Sequence, residues 1–80
     1  MNKETYRILI EAECDMGILN RILHIFSRRR IPFSTLRMDP LKNNLQQITI
    51  VINEPATIVE KLLPQIEKQI AVLNASYSIV

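Results

Sequence analysis

Apolar and polar residues alternate near the start of the chain. The segment TYRILIEA (5–12) has apolar side chains at every second position: Tyr6, Ile8, Ile10 and Ala12. The positions between them hold Arg7, Leu9 and Glu11. A period of two residues is typical of a β-strand with one buried face. The pattern therefore predicts a first strand whose other face is more polar.

At Ile18 the period lengthens to that of a helix. Apolar side chains now recur three and four positions apart, at Ile18, Leu19, Ile22, Leu23, Ile25 and Phe26. Such a stripe predicts an amphipathic helix of about three turns. We expect it to end near Arg30, because Pro32 disfavours the helical conformation at Ile31.

The second half of the chain repeats this sequence of patterns. FSTLRMD (33–39) and QQITIVIN (46–53) are predicted strands, and the Pro and Asn-Asn residues between them predict a hairpin. Asn53 is expected to cap a second helix that has Pro55 in its first turn. The apolar stripe of this helix is Ile58, Val59, Leu62, Leu63, Ile66 and Ile70. The segment VLNASYSIV (72–80) predicts a final strand.

The predicted element order is strand, helix, strand, strand, helix, strand. This order is that of the split βαβ arrangement. Two right-handed crossovers would place both helices on one face of a four-stranded antiparallel sheet and leave the other face open. We therefore predict one α+β domain over residues 1–80, with isoleucines of the two central strands in its core: Ile8, Ile10, Ile48, Ile50 and Ile52.

Composition supports a globular domain and excludes several classes of protein. Apolar residues make up 48% of the 80 residues and aromatic residues only 5%, so the core must be aliphatic. One cysteine excludes an internal disulfide and a multi-cysteine metal site. The net charge of +2 is too small to indicate a nucleic-acid partner, and no apolar run is long enough to span a membrane. We expect a cytoplasmic protein without a targeting segment.

Gly17 is the only glycine, and it lies between the first strand and the first helix. One interpretation is that the backbone of this turn requires glycine, with Asp15 as the helix cap. The other is that a side chain would obstruct a ligand, because backbone N–H groups at a helix N-terminus bind anions such as a carboxylate. The sequence leaves both interpretations open.

Candidate catalytic chemistry is sparse. His24 lies on the polar face of the first helix without an acid or a cysteine at triad or metal spacing, so we expect a surface histidine. Cys14 precedes the helix, where a reactive thiol and a small filler residue both remain open. RNA-recognition domains share the predicted element order, but they stack bases on aromatic residues of the central strands, and QQITIVIN has none.

The segment DMGILNRILHIFSRRRIPFSTLRM (15–38) resembles the ACT domain, whose signature is an Asp, a Gly two residues later and a Leu that opens the first helix. Within it, GILNRILHIFSRRRIPFSTL is similar to the small regulatory subunits of acetolactate synthase. In those subunits a Gly, a Leu, Ser/Asn-Arg, Leu-Phe-Ser and a basic turn recur. The likeness continues more weakly through QITIVI and QIEKQIAVLNASYS, and so covers nearly the whole chain.

This resemblance implies a ferredoxin-like βαββαβ sandwich that forms a homodimer and has no catalytic activity, cofactor or metal of its own. It also implies a partner, the thiamine-diphosphate-dependent catalytic subunit of acetolactate synthase, in branched-chain amino-acid biosynthesis. The alternative is a stand-alone ACT module that senses a ligand or directs assembly for another enzyme or regulator of amino-acid metabolism.

The resemblance also implies an effector site at the dimer interface, for a branched-chain amino acid. Its residues would be Cys14, Asp15, Met16, Gly17, Ile18, Leu19, Ile31, Pro32 and Phe33. The effector carboxylate would contact the N–H groups of residues 17–19, and its side chain would meet Ile31 and Phe33. The strand that pairs with the second copy would contribute Phe33, Ser34, Thr35, Leu36, Arg37 and Met38.

The sequence departs from the feedback-inhibited members at three positions. Cys14 and Pro32 stand where asparagines are usual, and Arg30 stands where a glycine is usual. A thiol is a poor hydrogen-bond partner and proline has no N–H, so two polar contacts to an effector would be lost. We therefore expect weak or absent binding of valine. The chain resembles the short regulatory subunits, which lack the second domain of many members.

Overall fold

The computed structural model describes residues 2–80 and confirms the predicted order of elements. The strands are β1 (Glu4–Glu13), β2 (Thr35–Pro40), β3 (Leu45–Glu54) and β4 (Val72–Ile79). The helices are α1 (Ile18–Arg28) and α2 (Ala56–Glu67). Every neighbouring pair of strands is antiparallel, in the order β2-β3-β1-β4. The chain therefore has the predicted α+β, ferredoxin-like βαββαβ fold.

The core lies between the sheet and the two helices. Because side chains alternate across a strand, one face of β1 and β3 points at the helices. Ile8 and Ile10 lie opposite Ile50 and Ile48, and all four are completely buried. Both helices direct their apolar stripes at this face, with Ile22, Phe26, Val59, Leu62 and Ile66 at most 1% exposed. The alternation in the sequence was thus sufficient to identify the core.

The structure corrects the predicted beginning and end of α2. Asn53 does not cap this helix, because it still belongs to β3, where its side-chain amide donates a 3.2 Å hydrogen bond to Thr5 Oγ1. Pro55 is the N-cap residue, and no side chain bonds to this end of the helix. The helix ends at Glu67, so Ile70 lies outside it and is 79% exposed instead of extending its apolar stripe.

A Schellman motif closes the other helix, α1. The N–H of Ile31 donates to Phe26 O at 3.0 Å, and the N–H of Arg30 donates to Ser27 O at 3.0 Å. This motif requires a left-handed residue, usually glycine, just after the helix cap. Arg30 occupies that position with a φ of 56°. The resemblance leads us to expect a glycine at this position. Glycine adopts this left-handed conformation more easily than arginine does.

Replacing Arg30 with glycine is expected to stabilise the protein. A left-handed conformation costs a residue with a Cβ roughly 1–2 kcal/mol, and glycine's greater freedom in the unfolded chain offsets part of this gain. We expect the free energy of unfolding to rise by about 1 kcal/mol, measured by urea denaturation. Arg29→Gly is the control, since Arg29 has a φ of −92° and needs no glycine. A loss of stability in both variants would contradict the explanation.

Candidate functional site

The turn between β1 and α1, around Gly17, is organised by Asp15. The Asp15 carboxylate accepts a 2.8 Å hydrogen bond from the Gly17 N–H, and the Asp15 carbonyl accepts one of 3.1 Å from the Ile18 N–H. Gly17 is the N-cap residue, without a side-chain cap of its own. Asp15 therefore does not occupy the expected cap position. It lies two residues before the N-cap residue and accepts hydrogen bonds from the N–H groups of Gly17 and Ile18.

Arg21 connects this turn to a distant part of the chain. One guanidinium nitrogen lies 3.2 Å from the Asp15 carboxylate and donates to the Ile70 carbonyl at 3.0 Å. Its Nε is buried and has no hydrogen-bond partner within residues 2–80. The hydrogen bond from the Gly17 N–H, followed by that from Arg21, lowers the pKa of the Asp15 carboxyl. Asp15 is thus held ionised beside the helix N-terminus.

Arg21 also lies against the single glycine. Gly17 has a φ of −88°, a value that any residue adopts, so the backbone of the turn does not require glycine. A Cβ at this position would lie 2.8 Å from a guanidinium nitrogen of Arg21. The interpretation from turn geometry is therefore wrong. In this structure glycine leaves room for the Arg21 guanidinium to reach Asp15 and Ile70.

The expected binding position of an effector carboxylate, at the N–H groups of residues 17–19, is largely occupied. Two of its three N–H groups, those of Gly17 and Ile18, already donate to Asp15. The Asp15 carboxylate brings a negative charge to the same place, and like charges repel. A ligand carboxylate would have to displace Asp15 to use these donors.

The other predicted effector residues are divided between the two ends of α1. At its start, Met16 is 99% exposed, Leu19 is half-buried, and Cys14 is exposed with its N–H bonded to Asn44 O at 3.0 Å. Pro32 and Phe33 follow its end, where the Phe33 ring packs edge-on against that of Phe26, with ring centroids 6.1 Å apart. An 11-residue helix is about 16 Å long. One chain alone therefore does not bring the two groups together.

Two predicted effector residues belong to the hydrophobic core. Ile18 is 1% exposed and Ile31 is 7% exposed. Both are members of the core cluster beneath the helices, so their side chains support the fold. The contact of the Ile31 side chain with an effector stays a prediction, and in one chain this side chain is directed into the core.

The predicted dimer strand, β2, is at the edge of the sheet. It begins at Thr35, so Phe33 and Ser34 precede it, and Ser34 is tied to β3 by a 2.8 Å bond from its N–H to Val51 O. Leu36 and Met38 lie opposite Ile50 and Ile48, and therefore on the helix side of the sheet. Three apolar side chains remain exposed in or beside this strand: Phe33 at 40%, Met38 at 42% and Leu41 at 41%.

A groove that the sequence prediction did not identify lies between α1 and α2. It consists of two adjoining cavities of about 380 Å³ each, which share Ile25, Arg28 and Gln69 in their walls. Arg21, His24 and Arg28 are three and four positions apart, and this helical spacing could have indicated that they share one face of α1. We call the two cavities together the basic groove. The first is lined by Ile25, Arg28, Arg29, Gln65, Lys68 and Gln69, and the second adds Asn20, Arg21 and His24.

Two other kinds of site are absent from the described part of the chain. Residues 2–80 contain no group of three or more metal-binding side chains. No helix among them has the length and apolar character needed to cross a membrane. His24 is exposed, as predicted.

The sequence matches no protein-family model, whereas several solved structures match the fold. The ACT domain of a GTP pyrophosphokinase from Chlorobium tepidum has a TM-score of 0.82 at 17% identity, over 96% of this chain and 100% of that chain. The regulatory subunit of aspartate kinase from Thermus flavus has a TM-score of 0.72 at 12% identity, over 95% and 52%. A Thermotoga maritima protein has a TM-score of 0.80 at 12% identity, over 99% of both chains. The chain therefore shares its ferredoxin-like fold with the ACT domain of a GTP pyrophosphokinase and with the regulatory subunit of an aspartate kinase.

Proposed function

We propose that this protein is an ACT-type regulatory subunit of acetolactate synthase, which acts in branched-chain amino-acid biosynthesis. The observation that carries the proposal is the place of the resemblance in the fold. Residues 15–38 form the β1–α1 turn, all of α1 and most of the edge strand β2. The segment that resembles the regulatory subunits is thus continuous with the sheet edge at which a second copy would pair.

The exposed edge of β2 supports a homodimer. An edge strand has unpaired backbone groups, and the same strand of a second copy satisfies them around a two-fold axis. Phe33 and Met38 would lose their exposed apolar surface in the same step. Antiparallel pairing of the two β2 strands would also bring the end of α1 in one copy towards the start of α1 in the other. The divided effector residues would then meet across the interface.

Several features of the β1–α1 turn support a weak or inactive effector site in this protein. The Asp15 carboxylate already accepts a hydrogen bond from the Gly17 N–H, and its ion pair with Arg21 keeps it in that position. Cys14 and Pro32 further lack the amide groups expected at their positions. We propose that a branched-chain amino acid binds weakly or not at all, and that the subunit acts on its partner through assembly.

Reconstitution with the acetolactate synthase large subunit of the same organism tests the proposal. We expect the isolated protein to form no acetolactate from pyruvate, and its addition to raise the turnover or the midpoint of thermal unfolding of the large subunit. Valine, leucine and isoleucine, added singly to the same assay, are expected to inhibit weakly or not at all. If neither activity nor thermal stability of the large subunit changed, the assignment to acetolactate synthase would fail.

A stand-alone ACT module remains the second candidate. The observation in its favour is that solved structures with this fold come from a GTP pyrophosphokinase and an aspartate kinase. The fold is therefore not tied to one enzyme. The same reconstitution separates the candidates, since a stand-alone module would leave the acetolactate synthase large subunit unaffected.

A further inference from the structure

We propose that the basic groove between α1 and α2 binds an acidic segment of a partner polypeptide. Three cations without an ion-pair partner in the described chain line it, Arg28 and Arg29 from the end of α1 and Lys68 from the end of α2. A fourth cation, Arg21, lines the second cavity and is paired with Asp15. No carboxylate lines either of its two cavities. The groove is therefore a concave surface of one charge sign, which attracts a ligand of the opposite sign.

These cations are not neutralised within the described chain. The two ion pairs found in residues 2–80 are Arg21 with Asp15 and Arg37 with Asp39. The negative ends of the helix dipoles favour a cation near each C-terminus. That effect accounts for one cation at each helix end but not for three cations in the lining of one cavity. A bound carboxylate would relieve their mutual repulsion.

Side-chain hydrogen bonds organise the floor of the groove before any ligand binds. Arg29 Nε donates to Gln65 Oε1 at 3.3 Å, and Gln69 Nε2 donates to the Gln65 carbonyl at 3.2 Å. Ile25, which is 8% exposed, supplies an apolar base. Ordering these side chains in advance lowers the entropy cost of binding. The arginine guanidinium groups can also bind a carboxylate through two parallel hydrogen bonds.

The open shape of the groove favours a polypeptide over a small molecule. Small-molecule sites enclose most of their ligand, whereas the cations here lie on exposed side chains. One exposed ion pair contributes little, so useful affinity requires several carboxylates spaced along one chain. Nucleic acid fits less well, because base stacking uses several aromatic side chains and His24 is the single aromatic ring that lines either cavity. The groove lies between the helices and is separate from the edge of β2.

Fluorescence anisotropy with a labelled peptide of alternating glutamate and glycine tests this inference. We expect the protein to bind it with an affinity that falls as salt rises, and not to bind the matching glutamine–glycine peptide. The double variant Arg28→Gln with Lys68→Gln is expected to weaken binding about tenfold. Arg7→Gln with Lys42→Gln is the control, because it removes the same charge from the open sheet face and the hairpin turn, and it should change binding less than about twofold.

Equal weakening by the two double variants would overturn the inference, since binding would then follow net charge alone. Displacement of the peptide by a matching concentration of inorganic pyrophosphate would overturn it in favour of a small phosphorylated ligand. Tighter binding of a labelled single-stranded oligonucleotide, lost in the groove variant, would overturn it in favour of nucleic acid. The experiment contains no acetolactate synthase subunit, so its result is independent of the proposed function.

Discussion

Replacing Ile50 with alanine is expected to lower the free energy of unfolding by about 3–4 kcal/mol. Ile50 is completely buried in β3, between Ile8 of β1 and Leu36 of β2. Truncation leaves a cavity that neighbouring strands cannot fill without losing their pairing. A domain of this length has a total stability of roughly 4–12 kcal/mol, so the variant loses about a quarter of it or more. Urea denaturation followed by circular dichroism measures the loss.

Val51→Ala is the matched control for this substitution. Val51 is the next residue of the same strand, and its half-buried side chain lies on the open face of the sheet. Its loss should cost about 0.5–1 kcal/mol, mainly in strand propensity and packing beside Thr35 and Arg7. Equal losses in the two variants would mean that the open face is also buried, for instance against another copy of the chain.

Replacing Met38 with glutamate is expected to separate the proposed homodimer. Light scattering at micromolar concentration should give about twice the chain mass of 9.3 kDa for the unchanged protein and a single chain for the variant. A two-fold interface contains each residue twice, so the substitution would place two carboxylates in one apolar contact. Met38 is 42% exposed, and the isolated chain therefore tolerates the charge.

Leu73→Glu is the control for the dimer, because Leu73 is an apolar residue of similar exposure, 53%, on the opposite edge strand β4. We expect it to leave the dimer intact. If Leu73→Glu separated the dimer and Met38→Glu did not, the two copies would pair through β4. A single-chain mass for the unchanged protein would refute the homodimer.

The fold could be predicted from the sequence because its core depends on local periodicity. Ile48, Ile50 and Ile52 alternate with less buried residues, and that alternation alone identified their shared face. The start of α2 was wrong because it depends on a distant partner. Glu4 of β1 pairs with Glu54, which keeps β3 extended beyond Asn53. A local capping signal contains no information about such a pairing.

The site was less predictable than the fold, because its contacts join residues that are far apart in the sequence. The proximity of Gly17 and Arg21 follows from helical spacing, but the Ile70 carbonyl that also holds Arg21 lies 49 positions away. Ile31 follows a helix and precedes a proline, which is typical of an exposed loop, yet the Schellman motif turns it into the core. The sequence therefore predicted the position of the β1–α1 turn but not the distant residues that its side chains contact.

The central position of β1 has a consequence for how the chain folds. Its neighbours in the sheet, β3 and β4, come from the second half of the chain, whereas β2 and β3 are joined by a type I′ turn at Asn43 and Asn44. Closing a long loop costs entropy before its contacts form, and distant strand pairs slow folding. The β2–β3 hairpin is thus the strand pair that closes with the shortest loop. During synthesis β1 emerges from the ribosome first, yet it acquires both of its neighbours only after β4 has followed.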